Sequence, residues 1–182
     1  MKRTPLIHLL QAYSPAYSEE KIFQTEMLKF IELQENCFER FLVTGHMTAS
    51  SWLLSKDHTK ALLMHHTKLD RWVQLGGHCD GDPDVMRVAI KEAREESGID
   101  QIRPVSNEIF DIDIHLIPTK DQICAHYHYD VRFLLETTSE ELVVSNRESK
   151  ELRWVGKNIQ ELPTESRSVV RMFIKWLKTL AK

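Results

Sequence analysis

Three glutamates, Glu92, Glu95 and Glu96, stand three and four residues apart in the stretch KEAREESG from Lys91 to Gly98. In a helix that spacing gathers them on adjacent turns of one side. The ordinary fate of such a run is a solvated acidic face, and the helical wheel argues against it. At about 100° per residue from Asp84, Glu92 (about 80°) and Glu96 (about 120°) fall inside the arc of Val88, Val85 and Ala89, about 40–140°. Arg87, Lys91 and Arg94 gather on the opposite side, leaving the outer face to cations. Like charges at this spacing repel by roughly 0.2–0.5 kcal/mol per pair, and desolvation adds to that cost. A bound divalent cation offsets both, and an all-oxygen donor set suits Mg²⁺ or Mn²⁺. Buried glutamates paired with basic residues are the alternative.

The helix carrying these acids has readable ends. Asp82 is a good N-cap, Pro83 suits the first helical position, and Asp84 complements the helix dipole. Gly98 is placed to end the helix in a left-handed conformation. The spacing predicts a helix from about residue 83 to 97.

Around it, the first forty residues read as helical: one piece from Thr4-Pro5 through Tyr13, broken at Ser14-Pro15, and a second capped by Ser18. Ile22, Phe23, Met27, Phe30 and Ile31 recur at helical spacing, as for a cover or a dimer contact. Strands are expected at 46–54, 61–66, 71–75, 108–117, 124–135 and 150–155, and an amphipathic helix from about 165 to 180. That last helix takes Val169, Val170, Phe173, Ile174, Trp176 and Leu177 as its core side. In 108–117, Phe110, Ile112, Ile114 and Leu116 alternate with Asp111, Asp113 and His115, and the polar set is assigned to solvent. In 124–135, His126, His128 and Asp130 share one face, with Tyr127, Tyr129 and Val131 on the other. His46 begins the first strand, and His78 lies in the loop before the acidic helix. The order of helices, strands, central helix, strands and helix implies an α+β (α/β) fold with a mixed sheet covered by helices.

The segment Gly77 to Ile99 resembles the Nudix box, a glycine and a glutamate followed by Arg-Glu-apolar-x-Glu-Glu-x-Gly-apolar. Here Gly77 is followed at the right distance by Lys91-Glu92-Ala93-Arg94-Glu95-Glu96-Ser97-Gly98-Ile99. Two positions depart from the pattern. Lys91 stands for the usual arginine and lacks its bidentate fork. Pro83 takes the slot of the first glutamate, so Asp80 or Asp82 is a candidate substitute carboxylate near the substrate.

The resemblance implies a Nudix α/β/α sandwich over residues 41–182, with residues 1–40 as an N-terminal helical extension. It implies a metal-dependent hydrolase cleaving a pyrophosphate bond, NDP-X to NMP plus phospho-X. Glu92, Glu95, Glu96 and the Gly76 backbone carbonyl would hold Mg²⁺ or Mn²⁺. The general base would be Glu92 or a residue of a later loop, for which Glu148 and Glu151 are candidates. A Nudix-fold module that senses a nucleotide without hydrolysing it is the alternative from another class.

The segment from His46 to Leu54 and the Gly77-His78 pair resemble isopentenyl-diphosphate isomerase, where matching histidines bind metal. That likeness implies a second site of His46, His78, His126 and His128, suited to Zn²⁺ or Mn²⁺. The other reading has them lining the substrate pocket or packing as half-exposed strand residues. Isomerase activity itself is disfavoured, because Gly76 stands where the isomerase has its cysteine. Trp52, Trp72, Trp154 and Trp176 are assigned to the core, Trp72 being the best candidate for substrate contact.

The formal charge of -3 over 182 residues gives no electrostatic reason for binding nucleic-acid polymers or an anionic membrane. Three widely spaced cysteines, Cys37, Cys79 and Cys124, read as reduced thiols of a cytoplasmic protein. The N-terminal apolar stretch is interrupted by His8 and reads as helix rather than signal peptide. A small-molecule nucleotide diphosphate is the expected partner, with a homodimer compatible with the N-terminal helices.

Overall fold

The computed structural model describes residues 2–120, 124–139, 142–144 and 146–179. In chain order the elements are α1 (Thr4–Ala12), α2 (Ser18–Leu33), β1 (Gly45–Leu54), β2 (Ala61–His66), β3 (Arg71–Val73) and β4 (Leu75–His78). They continue with α3 (Val85–Ser97), β5 (Ile102–Pro104), β6 (Asp111–Ile117), β7 (His126–Thr137), β8 (Ser149–Val155) and α4 (Arg167–Thr179). A short 3₁₀ turn at Ile159–Glu161 precedes α4. The fold is of the α+β class, as expected, and no helix among the described residues is long and apolar enough to cross a membrane. Strand hydrogen bonding runs β3-β2-β1-β7-β5, with β4 on β1, β6 on β7 and β8 on β2.

The chain forms two compact units, and β1, β4, α3 and β7 each contribute to both. The first unit holds Met1–Ser50, Gly77–Ala89 and Asn107–Phe133. There α1 packs on α2, and α2 on β6. Met27, Phe30 and Ile31 form the buried side of α2, and the Phe30 ring stacks on Tyr129 at 3.9 Å. Ile22, expected on that side, is 64% exposed. The start of α2 differs from expectation: Tyr17 is the N-cap, and Glu20 Oε2 accepts the N–H groups of Ala16 and Tyr17 at 2.7 and 2.9 Å. A carboxylate at the third helical position satisfies orphan donors as well as a capping hydroxyl does.

β6 and β7 pair antiparallel, Asp113 opposite Asp130 and His115 opposite His128. Here the assignment of Asp111 and Asp113 to solvent is corrected. Both are buried, and the fully buried Arg132 guanidinium bonds Asp111 at 3.0 Å, Asp113 at 3.2 Å and Asp130 at 2.7 Å. The Asp130 carboxylate also accepts from Thr48 and Ser50. Alternation located this face correctly, but it could not show that an arginine two positions after Asp130 would make it an interior one.

The second unit holds Ser51–Gly76, Ile90–Ser106 and Leu134–Lys182. β2 carries β8 along one ladder, Ala61 opposite Val155, and pairs antiparallel with β3, Met64 opposite Val73. Trp52, Phe173 and Trp176 are fully buried, with Trp52 and Trp176 6.2 Å apart. Trp72 and Trp154 are half-buried rather than core. On α4, Met172 takes a buried place that the wheel had given to Val170, Ile174 and Leu177, which are only half-buried. The expected end at Leu180 lies outside the described residues.

Candidate active site

The acidic helix begins two residues later than expected. Asp84, not Asp82, caps α3, its Oδ1 accepting the Arg87 N–H at 3.0 Å. Pro83 therefore precedes the cap, and Asp82 turns to the Arg87 guanidinium at 2.6 Å. Asp82 also accepts from the Asp84 N–H at 2.9 Å, and these contacts hold its carboxyl below the usual range. Asp80 is ion-paired with Arg40. Both aspartates belong to the first unit and are engaged by arginines.

At the other end Gly98 behaves as expected. Its φ of 72° is left-handed, and its N–H donates to the Arg94 carbonyl at 2.9 Å. A Cβ there would come within 2.8 Å of the Val144 Cβ, so glycine is needed for space as well as for conformation.

The helix faces follow the wheel. Val85, Val88, Ala89 and Ala93 are buried, and Glu96 among them is 3% exposed. The Glu92 side chain is 17% exposed, whereas that of Glu95 is 58% exposed and shares Lys91 with it. Two acids thus turn inward and the third lies beside them on the rim. Arg87, Lys91 and Arg94 are all exposed.

Glu96 Oε2 accepts the Gly76 N–H at 2.8 Å. Gly76 lies in β4, not in the loop expected there, so this bond ties the strand to the helix. Burial pushes the Glu96 carboxyl up to about 8; the Gly76 bond opposes that rise, and the charges of Glu92, Glu148 and Glu95 add to it. Burial also raises Glu92, against the pull of Lys91. The charge of Glu148 raises both Glu96 and the half-buried Glu92, which singles it out from Glu151, whose carboxylate is taken by Arg153 at 2.7 Å. Sequence spacing carried no signal for that choice, nor for Asn146, whose side chain donates to the Glu95 carbonyl. Several acids around one buried, proton-retaining carboxylate form a site short of positive charge, which an oxygen-seeking divalent cation fits.

Trp72, in the same unit, stacks on His65 with ring centroids 5.1 Å apart, and the Arg153 guanidinium lies 4.6 Å over its ring.

In the first unit the histidines come together. His78 is in β4, not in a loop, and β1 places His46 5.1 Å from it, centroid to centroid. Gly45 lets β1 approach β7 closely, since a Cβ there would strike the Tyr127 carbonyl. His128 lies 4.9 Å from His46 and 5.0 Å from His78, and His126 lies 5.0 Å from His46. His115, assigned from sequence to a solvent-facing polar set, is half-buried and adds a fifth ring 5.4 Å from His128. The β6–β7 register, which alternation within each strand does not set, places it opposite His128.

An α+β fold whose central helix turns carboxylates inward among further acids defines a class of proteins with a site suited to divalent cations. The family is narrower: a family model described as NUDIX domain matches residues 45–177. The chain belongs to the Nudix family, as a hydrolase of the pyrophosphate-cleaving kind.

Solved structures agree on the fold. An Ap4A hydrolase from C. elegans is 17% identical, with a TM-score of 0.59 over 74% of this chain and 97% of that one. A Nudix-family hydrolase from Clostridium perfringens is 25% identical, with a TM-score of 0.56 over 75% and 98%. An ADP-ribose pyrophosphatase from Streptococcus suis is 18% identical, with a TM-score of 0.53 over 75% and 92%. No curated protein matches.

Proposed function

We propose that this chain hydrolyses a nucleoside-diphosphate-linked small molecule, NDP-X, to NMP and phospho-X, with Mg²⁺ or Mn²⁺ as cofactor. The observation that carries the reading is the burial of Glu96, beside the half-buried Glu92, among four acids of which Lys91 bridges two, Glu92 and Glu95. Glu92, Glu95 and Glu96, with the Gly76 carbonyl, are the residues that would hold the metal. When bound, a divalent ion supplies neutralisation of diphosphate charge and an acidified water.

The chain's own residues divide the remaining tasks. The Gly76 N–H fixes the Glu96 carboxylate, so that this acid keeps one orientation. Lys91, bridging Glu92 and Glu95 at 3.0 and 3.1 Å, restrains these two acids in place of the family's arginine. Glu148 is the residue proposed to accept the proton of the attacking water, because it adjoins the buried acids and Glu151 is committed to Arg153. Trp72 is proposed as a substrate contact, a half-exposed ring in the same unit as the acids.

The likeness to an Ap4A hydrolase and an ADP-ribose pyrophosphatase supports a nucleotide-derived substrate. The N-terminal helical piece is proposed as an accessory to the Nudix domain and as a dimer contact, supported by the exposed Ile22 and Leu33 on α2. A cytoplasmic setting is proposed from the free thiols.

The test is a panel of sugar nucleotides, dinucleotides and dinucleoside polyphosphates at pH 8 with Mg²⁺ or Mn²⁺, scored for released monophosphate. Turnover of at least one compound, abolished by chelation, is expected. Tight binding across the panel with no product would favour the nucleotide-sensing module instead.

A further inference from the structure

We propose that His46, His78 and His128 form a transition-metal centre, separate from the carboxylates of α3, that takes one Zn²⁺ or a similar borderline divalent ion. One nitrogen from each of the three rings lies within 4.8 Å of the others, the spread expected of side chains able to converge on a single ion. The rings arrive from three strands, β1, β4 and β7, whose backbones fix their positions before any ligand binds.

Their hydrogen bonding is the second observation. His46 is 3% exposed, and neither of its ring nitrogens has a hydrogen-bond partner. Nε2 of His128 is likewise buried and unbonded. A neutral imidazole carries one donor and one acceptor, and leaving both dry costs free energy that folded proteins usually recover elsewhere. The packing of five imidazoles brings no carboxylate to any of those nitrogens. A metal ion accepts the lone pairs that these rings cannot otherwise use.

The electrostatics favour the form that ligates. Burial lowers His46 and His78 to about 4 and His128 to about 2, with neighbouring histidines deepening each shift. The rings are therefore neutral at physiological pH, and neutral imidazole is the metal-binding species. His46 also senses the Leu42 carbonyl, outside hydrogen-bond geometry, a neighbour placed to orient a ring once its other nitrogen is ligated.

Nitrogen donors alone suit Zn²⁺, Ni²⁺ or Cu²⁺ better than Mg²⁺, which separates this centre from the glutamates by ligand class. His126 stands at the edge of the set. Its Nδ1 is hydrogen-bonded with the Cys124 carbonyl at 2.9 Å. Three imidazoles leave a coordination position for water or a polar group of a ligand.

The experiment uses the full chain without an affinity tag, stripped with chelator and then loaded with Zn²⁺ or Co²⁺. After gel filtration, one equivalent of metal per chain is expected. X-ray absorption should show a zinc shell dominated by nitrogen at about 2.0 Å. The visible bands of the Co²⁺ protein should vanish in His46→Gln and His128→Gln and persist in Glu96→Gln, each variant being checked for native circular dichroism. Metal no higher than the blank, or an oxygen-only shell, overturns the proposal. So does cobalt colour that survives both histidine changes or is lost in Glu96→Gln. The absorption measurement on unaltered protein decides the matter even where a variant fails to fold. Failure here leaves the pyrophosphohydrolase reading untouched, because that reading uses none of these residues.

Discussion

Replacing Glu96 with glutamine should change how stability depends on pH, in a direction opposite to that of most carboxylates. The folded carboxyl titrates near 8, against an ordinary value of 4.5, because burial disfavours its charged form. Between those values the folded state keeps the proton and the unfolded state releases it. Unfolding then becomes easier as pH rises, and the contribution is fully present only below about 4.5. At roughly 1.36 kcal/mol per pH unit, less the partial ionisation near the folded value, raising the pH from 6 to 8 should cost about 2 kcal/mol. Glutamine keeps the shape and the acceptor for the Gly76 N–H but has no proton to lose. Urea unfolding in chelator at pH 6 and pH 8 measures the effect, the wild-type difference minus that of Glu96→Gln cancelling all other groups. The wild type should lose about 2 kcal/mol more than the variant. Saturating Mg²⁺, which favours the ionised form, should shrink that gap. Equal pH dependence of the two proteins in chelator would refute the claim that Glu96 is held protonated by burial.

Other perturbations have expected outcomes. Gly98→Ala forces a side chain into a left-handed position and against Val144, and should lower unfolding free energy by about 1–3 kcal/mol in urea titrations. Arg132→Met leaves Asp111 and Asp130 buried without their cation, and should destabilise by about 3–5 kcal/mol, or prevent folding, as read by thermal melts. Asp84→Ala removes the cap of α3 and should cost about 1 kcal/mol, whereas Asp82→Ala should cost less because its partner Arg87 is exposed.

Periodicity made most of the framework legible. β2 was read with its observed ends, and the inward turn of Glu92 and Glu96 followed from angular position on a wheel. Local chemistry was less decisive. Asp82 and Asp84 are both sound caps, and Pro83 suits either start, so the choice fell to the Arg87 guanidinium, whose grip on Asp82 is a tertiary detail. The expected strand at 71–75 ran through the break at Gln74, which no glycine or proline marks, and the glycines at 76 and 77 read as a loop where β4 in fact continues to His78. Alternation identified the polar face of β6 but not its depth, since burial of Asp111 and Asp113 depends on Arg132 arriving from β7. The histidines were visible one by one, and only register between strands shows that His115 joins them. Glu148 sits in a connection without periodicity, and its nearness to the buried acids had no local signature.

The most direct trial of the central claim compares nucleoside monophosphate release by wild type and Glu96→Gln on one accepted diphosphate substrate, with and without Mg²⁺. Release that requires the metal and drops to background in the variant, with substrate still bound, is the predicted result. Metal-independent release, or a variant that turns over as fast as wild type, would contradict it.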